Sequence, residues 1–102
     1  MIHVVVTFTI KDGMMDQYLE GIKKLCPLVL AEKGCVEYTY IREIASPLAI
    51  QEPVQTNRLT LVEKWESFED LKAHGRSAHM VEYTKLLGPM RESASARVGE
   101  TV

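Results

Sequence analysis

The sequence predicts an α+β fold with the element order β-α-β-β-α-β, and three observations predict it. Apolar residues run almost unbroken through 2–10 and then recur at helical spacing through 14–33. The same strand-then-helix pattern returns at 58–66 and 68–87. Between the two units lies a further strand-like stretch at 35–44, and a weaker one closes the chain at 93–99.

Each element has its own physical reason. Residues 2–10, IHVVVTFTI, are β-branched and apolar in both phases, as suits a strand covered on both faces. Asp12-Gly13 breaks the run and opens the first helix. In that helix Met15, Tyr18, Leu19, Ile22, Leu25, Cys26, Val29 and Leu30 form one stripe, with Asp16, Glu20, Lys23 and Lys24 outside it. Pro27 removes an N–H donor inside the helix, so a kink or a break is expected there, and Gly34 ends the element. Residues 35–44 alternate loosely around Tyr38 and Tyr40 and read as the second strand. The connection 45–57 contains Pro47 and Pro53 and exceeds an ordinary hairpin loop, as a lid, an interface arm or an insertion does. Residues 58–66, RLTLVEKWE, form the third strand. Ser67 caps a helix over 68–74 that stops at Gly75, and a second helical piece runs from Ser77 to Leu87 before Gly88-Pro89. Its buried candidates are Met80, Val81, Tyr83, Thr84 and Leu87.

Right-handed crossovers then place strands one and three at the centre of a ferredoxin-like sheet with both helical units on one face. The other face is expected to be apolar, because the set of Val4, Val5, Val6, Thr7 and Phe8 is apolar in either phase. A two-fold homodimer would cover it, with the 45–57 loop or the last strand reaching to the partner.

The 102 residues make a single domain, 1–102. Hydrophobic residues at 46% and charged residues at 25% give a globular balance, which argues against disorder. Net charge is −2, with no basic stripe, so nucleic acid and anionic membranes are poor partners. No apolar run approaches the roughly 20 residues of a membrane span, and the first residues lack the features of a secretory leader. Cys26 and Cys35 read as two reduced thiols of a cytoplasmic protein.

The side chains that could carry chemistry gather in the second half: Glu63, Trp65, His74, His79 and Tyr83, with Tyr38 from the second strand. Trp65 is either core or an aromatic wall for a flat ligand. On one unbroken helix His74 and His79 would point about 140° apart, but Gly75 and Ser77 leave that geometry open. Glu63 is either a solvated carboxylate or a pocket acid that partners a histidine. Tyr38, like Tyr40, reads first as a packing residue whose phenol could also reach a ligand, and Tyr83 falls among the buried helix candidates. Cys35 has no base beside it in sequence and reads as a structural thiol. No Cys/His set has metal-ligand spacing, and no phosphate loop, dinucleotide fingerprint or nucleophile elbow occurs.

Three stretches together carry a resemblance: Glu32-Lys-Gly34-Cys35-x-x-Tyr38, Leu61-Val62-Glu63-Lys64-Trp65-Glu66-Ser67, and Leu71-x-x-His74-x-x-Ser77-x-His79-Met80. The chain resembles the antibiotic biosynthesis monooxygenases, small dimeric α+β barrels that include quinol monooxygenases. The resemblance implies a homodimer that oxygenates a small aromatic quinol or phenol with dioxygen and needs neither metal nor organic cofactor. It implies Trp65 and His74 as catalytic positions, with Glu63, His79, Tyr38 and Tyr83 around the substrate. The heme-degrading branch of the fold is disfavoured, because the first strand has no Asn and Thr84 stands near the place of the axial histidine. Two alternatives remain. One is a proton-transfer isomerase of a small, phosphorylated carbonyl compound, with Lys64, Arg76 and Lys85 as candidate phosphate holders. The other is a small-molecule binder without catalysis.

Overall fold

Strand β1 (Ile2–Ile10) is the spine of the molecule in a computed structural model that describes residues 1–102. It is followed by α1 (Met15–Leu30), β2 (Cys35–Arg42), β3 (Arg58–Trp65), α2 (Phe68–Gly75) and α3 (Ala78–Leu87). One 3₁₀ turn over Gly88–Met90 leads into β4 (Arg91–Glu100). The four strands form one antiparallel sheet in the order β2-β3-β1-β4, with strands one and three central, as the sequence predicts. The fold is α+β and ferredoxin-like.

Register explains which residues become core. Ile2, Val4, Val6 and Phe8 lie opposite Trp65, Glu63, Leu61 and Leu59, so these eight share one face. Tyr38 and Tyr40 of β2 join them opposite Glu63 and Leu61. Tyr18, Ile22, Leu25 and Val29 of α1 and Leu87 of α3 cover this face and are buried. A fully buried side chain of this size contributes about 1.5–3 kcal/mol, which is what selects this phase of each strand over the other. Gly21 lets α1 and α3 approach closely: a Cβ there would sit 2.6 Å from Leu87 Cδ2.

The opposite sheet face differs from expectation. His3, Val5, Thr7 and Thr9 lie there, across from Lys64, Val62, Thr60 and Arg58. Only Val5 and Val62 of these eight are apolar, so the face is mixed. The apolar run 2–10 hides this, because the residues that alternate with the core positions are mostly threonine and histidine.

Three boundaries also move. Helix α1 ends at Leu30 instead of running to residue 33, and it continues unbroken through Pro27. Pro27 is exposed, so the lost N–H and the carbonyl it would have bonded lie on the water side. Strand β2 ends at Arg42, which lengthens the connection to 43–57. Glu43 anchors that loop by accepting from both Arg58 and the Gln55 backbone N–H. Strand β4 is ten residues long and pairs with β1 along its whole length, yet nearly every residue is exposed. In α3, Val81 and Thr84 face solvent, while Met80 and Tyr83 pack against the core.

Candidate active site

The inward positions of β3 read Leu59, Leu61, Glu63, Trp65, and Glu63 is the exception among them. A buried carboxylate needs partners. Glu63 Oε1 accepts the Trp65 indole N–H at 2.9 Å and lies 3.9 Å from His74 Nε2. Burial lifts the Glu63 carboxyl above its usual range; the Trp65 hydrogen bond and His74 pull it down, and the charge of Glu32 pushes it up.

His74 reaches this point because the helical layer is broken beside it. Ser67 caps helix α2: its hydroxyl accepts from the Asp70 N–H at 3.1 Å and donates to the Asp70 carboxylate at 2.9 Å. One turn after His74, Ser77 donates to the His74 carbonyl at 2.9 Å and accepts from the Met80 N–H at 3.3 Å. Ser77 therefore closes one helix and caps the next. The bend turns His79 back toward His74, so the divergence expected for an unbroken helix does not occur.

Both histidines meet on Glu32. His74 Nδ1 lies 2.8 Å and His79 Nε2 2.7 Å from the same oxygen, Oε2. An ionised carboxylate only accepts, so both ring nitrogens donate to it, and His74 in its neutral form presents a bare Nε2 toward Glu63. Glu32 sits in the turn between α1 and β2. Gly34 makes that turn possible at φ +79°, and a Cβ there would strike Asp70 at 2.1 Å. The Glu66 N–H donates to the Gly34 carbonyl at 2.9 Å, tying the turn to the start of α2.

Aromatic rings enclose the histidine. Trp65 lies 4.7 Å from the His74 ring between centroids, and Tyr38 packs edge-on at 5.7 Å. Trp65 is 0% exposed and His74 6%, so the cluster is sealed. Tyr38 continues to Tyr40 at 5.9 Å, and Tyr40 lines an open groove of about 280 Å³ between α1 and the sheet, with Leu19, Ile22 and Leu59 as apolar lining and Lys23 and Arg42 beside them. Burial raises both phenols above their usual range, so they remain protonated donors.

Of the residues singled out from sequence, Trp65, His74, Glu63, Tyr38 and His79 come together. Tyr83 does not; it lines a separate groove of about 470 Å³ between α1 and α3, beside Gly21, Leu86 and Met90. Glu32, which opens the 32–38 stretch of the resemblance, is the member to which the sequence assigns no role. Cys35 and Cys26 are free thiols. Burial, with the charges of Glu32 and Glu63, pushes Cys35 up to about 11, which makes it a poor nucleophile. No group of three or more His, Cys, Asp or Glu side chains is placed to hold a metal ion. Lys64 points to the other sheet face, where it pairs with Glu37 at 3.3 Å.

Comparison with known proteins places this geometry in a family. The profile of the antibiotic biosynthesis monooxygenases matches residues 1–86. The chain is 29% identical over 75 residues, 74% of its length and 67% of the relative's, to "Probable quinol monooxygenase YgiN" of Escherichia coli (strain K12). Its fold is similar to that of a conserved protein from Methanosarcina mazei Go1, at a TM-score of 0.85 and 24% identity, covering 99% of this chain and 92% of that one. It is also similar to Rv0793 from Mycobacterium tuberculosis, at 0.82 and 19%, covering 99% and 94%. With the family profile spanning the strand–helix opening, the Glu32 turn, Glu63, Trp65 and both histidines, the chain belongs to the antibiotic biosynthesis monooxygenase family.

Proposed function

We propose that this protein is a monooxygenase that oxidises a small aromatic quinol or phenol with dioxygen, without metal or organic cofactor, as a homodimer in the cytoplasm. The observation that carries the reading is the His74 imidazole, held by Glu32 on one nitrogen and free on the other inside an aromatic enclosure. For a quinol the reaction balances as quinol plus O₂ to hydroxyquinone plus water. One oxygen atom enters the ring, the other leaves as water, and the substrate supplies all four electrons. What the protein contributes is removal of the hydroxyl proton, since the phenolate gives up electrons more readily than the phenol. His74 Nε2 takes that proton, and the Glu32 carboxylate stabilises the imidazolium that forms.

Trp65 acts through His74 in this reading. Its indole has no exposed face, and its N–H is committed to Glu63, so it orients the imidazole by contact instead of stacking on the substrate. The substrate ring approaches through the groove beside Tyr40, and Tyr38, which stands between that groove and His74, has to swing aside for the ring to reach Nε2. Tyr38, Glu63 and His79 complete the surroundings, and Tyr83 lies outside them. The isomerase reading gains nothing from the placement of Lys64, which faces away from the cluster.

The test is oxygen uptake with a panel of quinols. His74→Ala is expected to slow turnover by about 10²-fold or more while the thermal melt shows an intact fold. Wild-type turnover by His74→Ala would remove the proton-transfer role. Saturable binding of every quinol without oxygen consumption would point to a binding module instead.

A further inference from the structure

His79 has no part in the chemistry above, yet it shares one oxygen atom with the histidine that does. Side-chain exposure rises along the chain of contacts, from 7% at His74 through 14% at Glu32 to 23% at His79. While His74 holds the substrate's proton, the sealed site carries an added positive charge unless another proton can leave and later return, and the other groups around His74 offer no such route. Glu63 and Tyr38 are themselves buried, and Cys35 holds its thiol proton tightly. No helix or strand interposes between His74 and His79; the α1–β2 turn that bears Glu32 bridges them directly.

We infer that His79, Glu32 and His74 form a proton conduit between the active site and solvent. The inference rests on the reading of His74 as the group that takes the substrate's proton. The proposed cycle starts from one set of proton positions: one on His74 Nδ1, none on Glu32 and one on each nitrogen of His79. The substrate's proton arrives on His74 Nε2. The Nδ1 proton passes 2.8 Å to Glu32 Oε2, and His79 releases a proton from its outer nitrogen, Nδ1, to water. Four protons enter the count and four leave it: one on His74, one on Glu32, one on His79 and one in solvent. Glu32 now donates to His74 Nδ1 and accepts from His79 Nε2 at 2.7 Å, so both hydrogen bonds persist with one reversed. When His74 gives its Nε2 proton back to the departing oxygen, Nδ1 recovers the Glu32 proton and His79 recharges from water. Imidazole suits the outer position because it gains and loses protons near neutral pH.

The role differs from plain structural support in what it makes dependent on buffer. His79→Gln keeps an N–H donor for Glu32 but cannot carry a proton through. In this variant, turnover is expected to fall on the order of 10-fold or more at low buffer concentration and to recover when free imidazole is added, with KM unchanged. A second measurement needs no substrate: the exchange of the His74 ring N–H with water, followed by NMR in wild type, His79→Gln and Glu32→Gln. Slower exchange in both variants, with native-like melts, supports the conduit. Exchange as fast as in wild type overturns it, and so does a His79→Gln loss that imidazole does not restore. Failure of the protein to oxidise any quinol would count against the monooxygenase reading alone, because the exchange measurement judges the conduit independently.

Discussion

Glu63 occupies a strand position that geometry reserves for core, and burial raises its carboxyl above the usual value of 4.5. A group whose folded value is raised holds its proton more tightly in the folded chain than in the unfolded one. Its contribution to stability is then whole below pH 4.5 and declines as pH climbs through the raised value. Glu63→Gln keeps a carbonyl acceptor for the Trp65 N–H and removes the titration. Its melting temperature should gain on the wild type progressively from acid toward neutral pH. Parallel curves for the two proteins would show that Glu63 is not desolvated in this way. Whether Glu63 faced water or the core was left open until the register placed it inward, but it was legible in the sequence as a strand carboxylate two residues from Trp65. Glu32 was not. It stands in a turn, where no periodicity marks it, and its two partners lie 42 and 47 residues away.

At the scale of elements, two glycines set how closely the parts of the helical layer pack on one another. Gly34 takes a left-handed φ of +79° and leaves no room for a Cβ beside Asp70. Gly34→Ala should cost roughly 1–3 kcal/mol through the strained turn and the clash, and it should also displace Glu32. Activity should therefore fall further than the melt alone explains. Gly21→Ala pushes against Leu87, itself 1% exposed and unable to step aside, and overpacking of this kind costs about 1–3 kcal/mol. Because Gly21 lies away from Glu32, its effect should appear in the melt with kcat preserved in the folded fraction. A loss of kcat equal to that of Gly34→Ala would mean that the α1–α3 contact, not the Glu32 turn, sets the site. The order of strands and the break between α2 and α3 were legible, since turn residues and capping serines announce them. The run 2–10 concealed which sheet face is polar, because Val4, Val5 and Val6 look alike in either phase and mask His3, Thr7 and Thr9 on the outer one.

For the whole molecule, the unpartnered surfaces bear on assembly. Strand β4 leaves ten residues of open backbone edge, Val98 on it is 57% exposed, and the 43–57 loop exposes Ile44, Leu48 and Ile50 at 74%, 63% and 87%. Open edges and apolar loops of this kind are stabilised by a partner. The mixed polarity of the outer sheet face moves the weight of the proposed dimer contact toward the edge strand and the loop. Light scattering at micromolar concentration should give twice the chain mass, and Leu48→Glu with Ile50→Glu should weaken the dimer without lowering oxygen uptake by the folded protomer more than a few-fold. A monomer at every concentration would contradict the assembly. No helix is long and apolar enough to cross a membrane.

In the proposed reaction the substrate itself supplies every electron for insertion of one atom of dioxygen. Turnover of a quinol by the purified, metal-free protein under isotopically labelled dioxygen, with the product weighed by mass spectrometry, tests it most directly. One labelled oxygen atom in the hydroxyquinone and the other in water, with no peroxide accumulating, is the expected result. An unlabelled quinone accompanied by hydrogen peroxide, or activity that appears only when a metal or flavin is added, would contradict it.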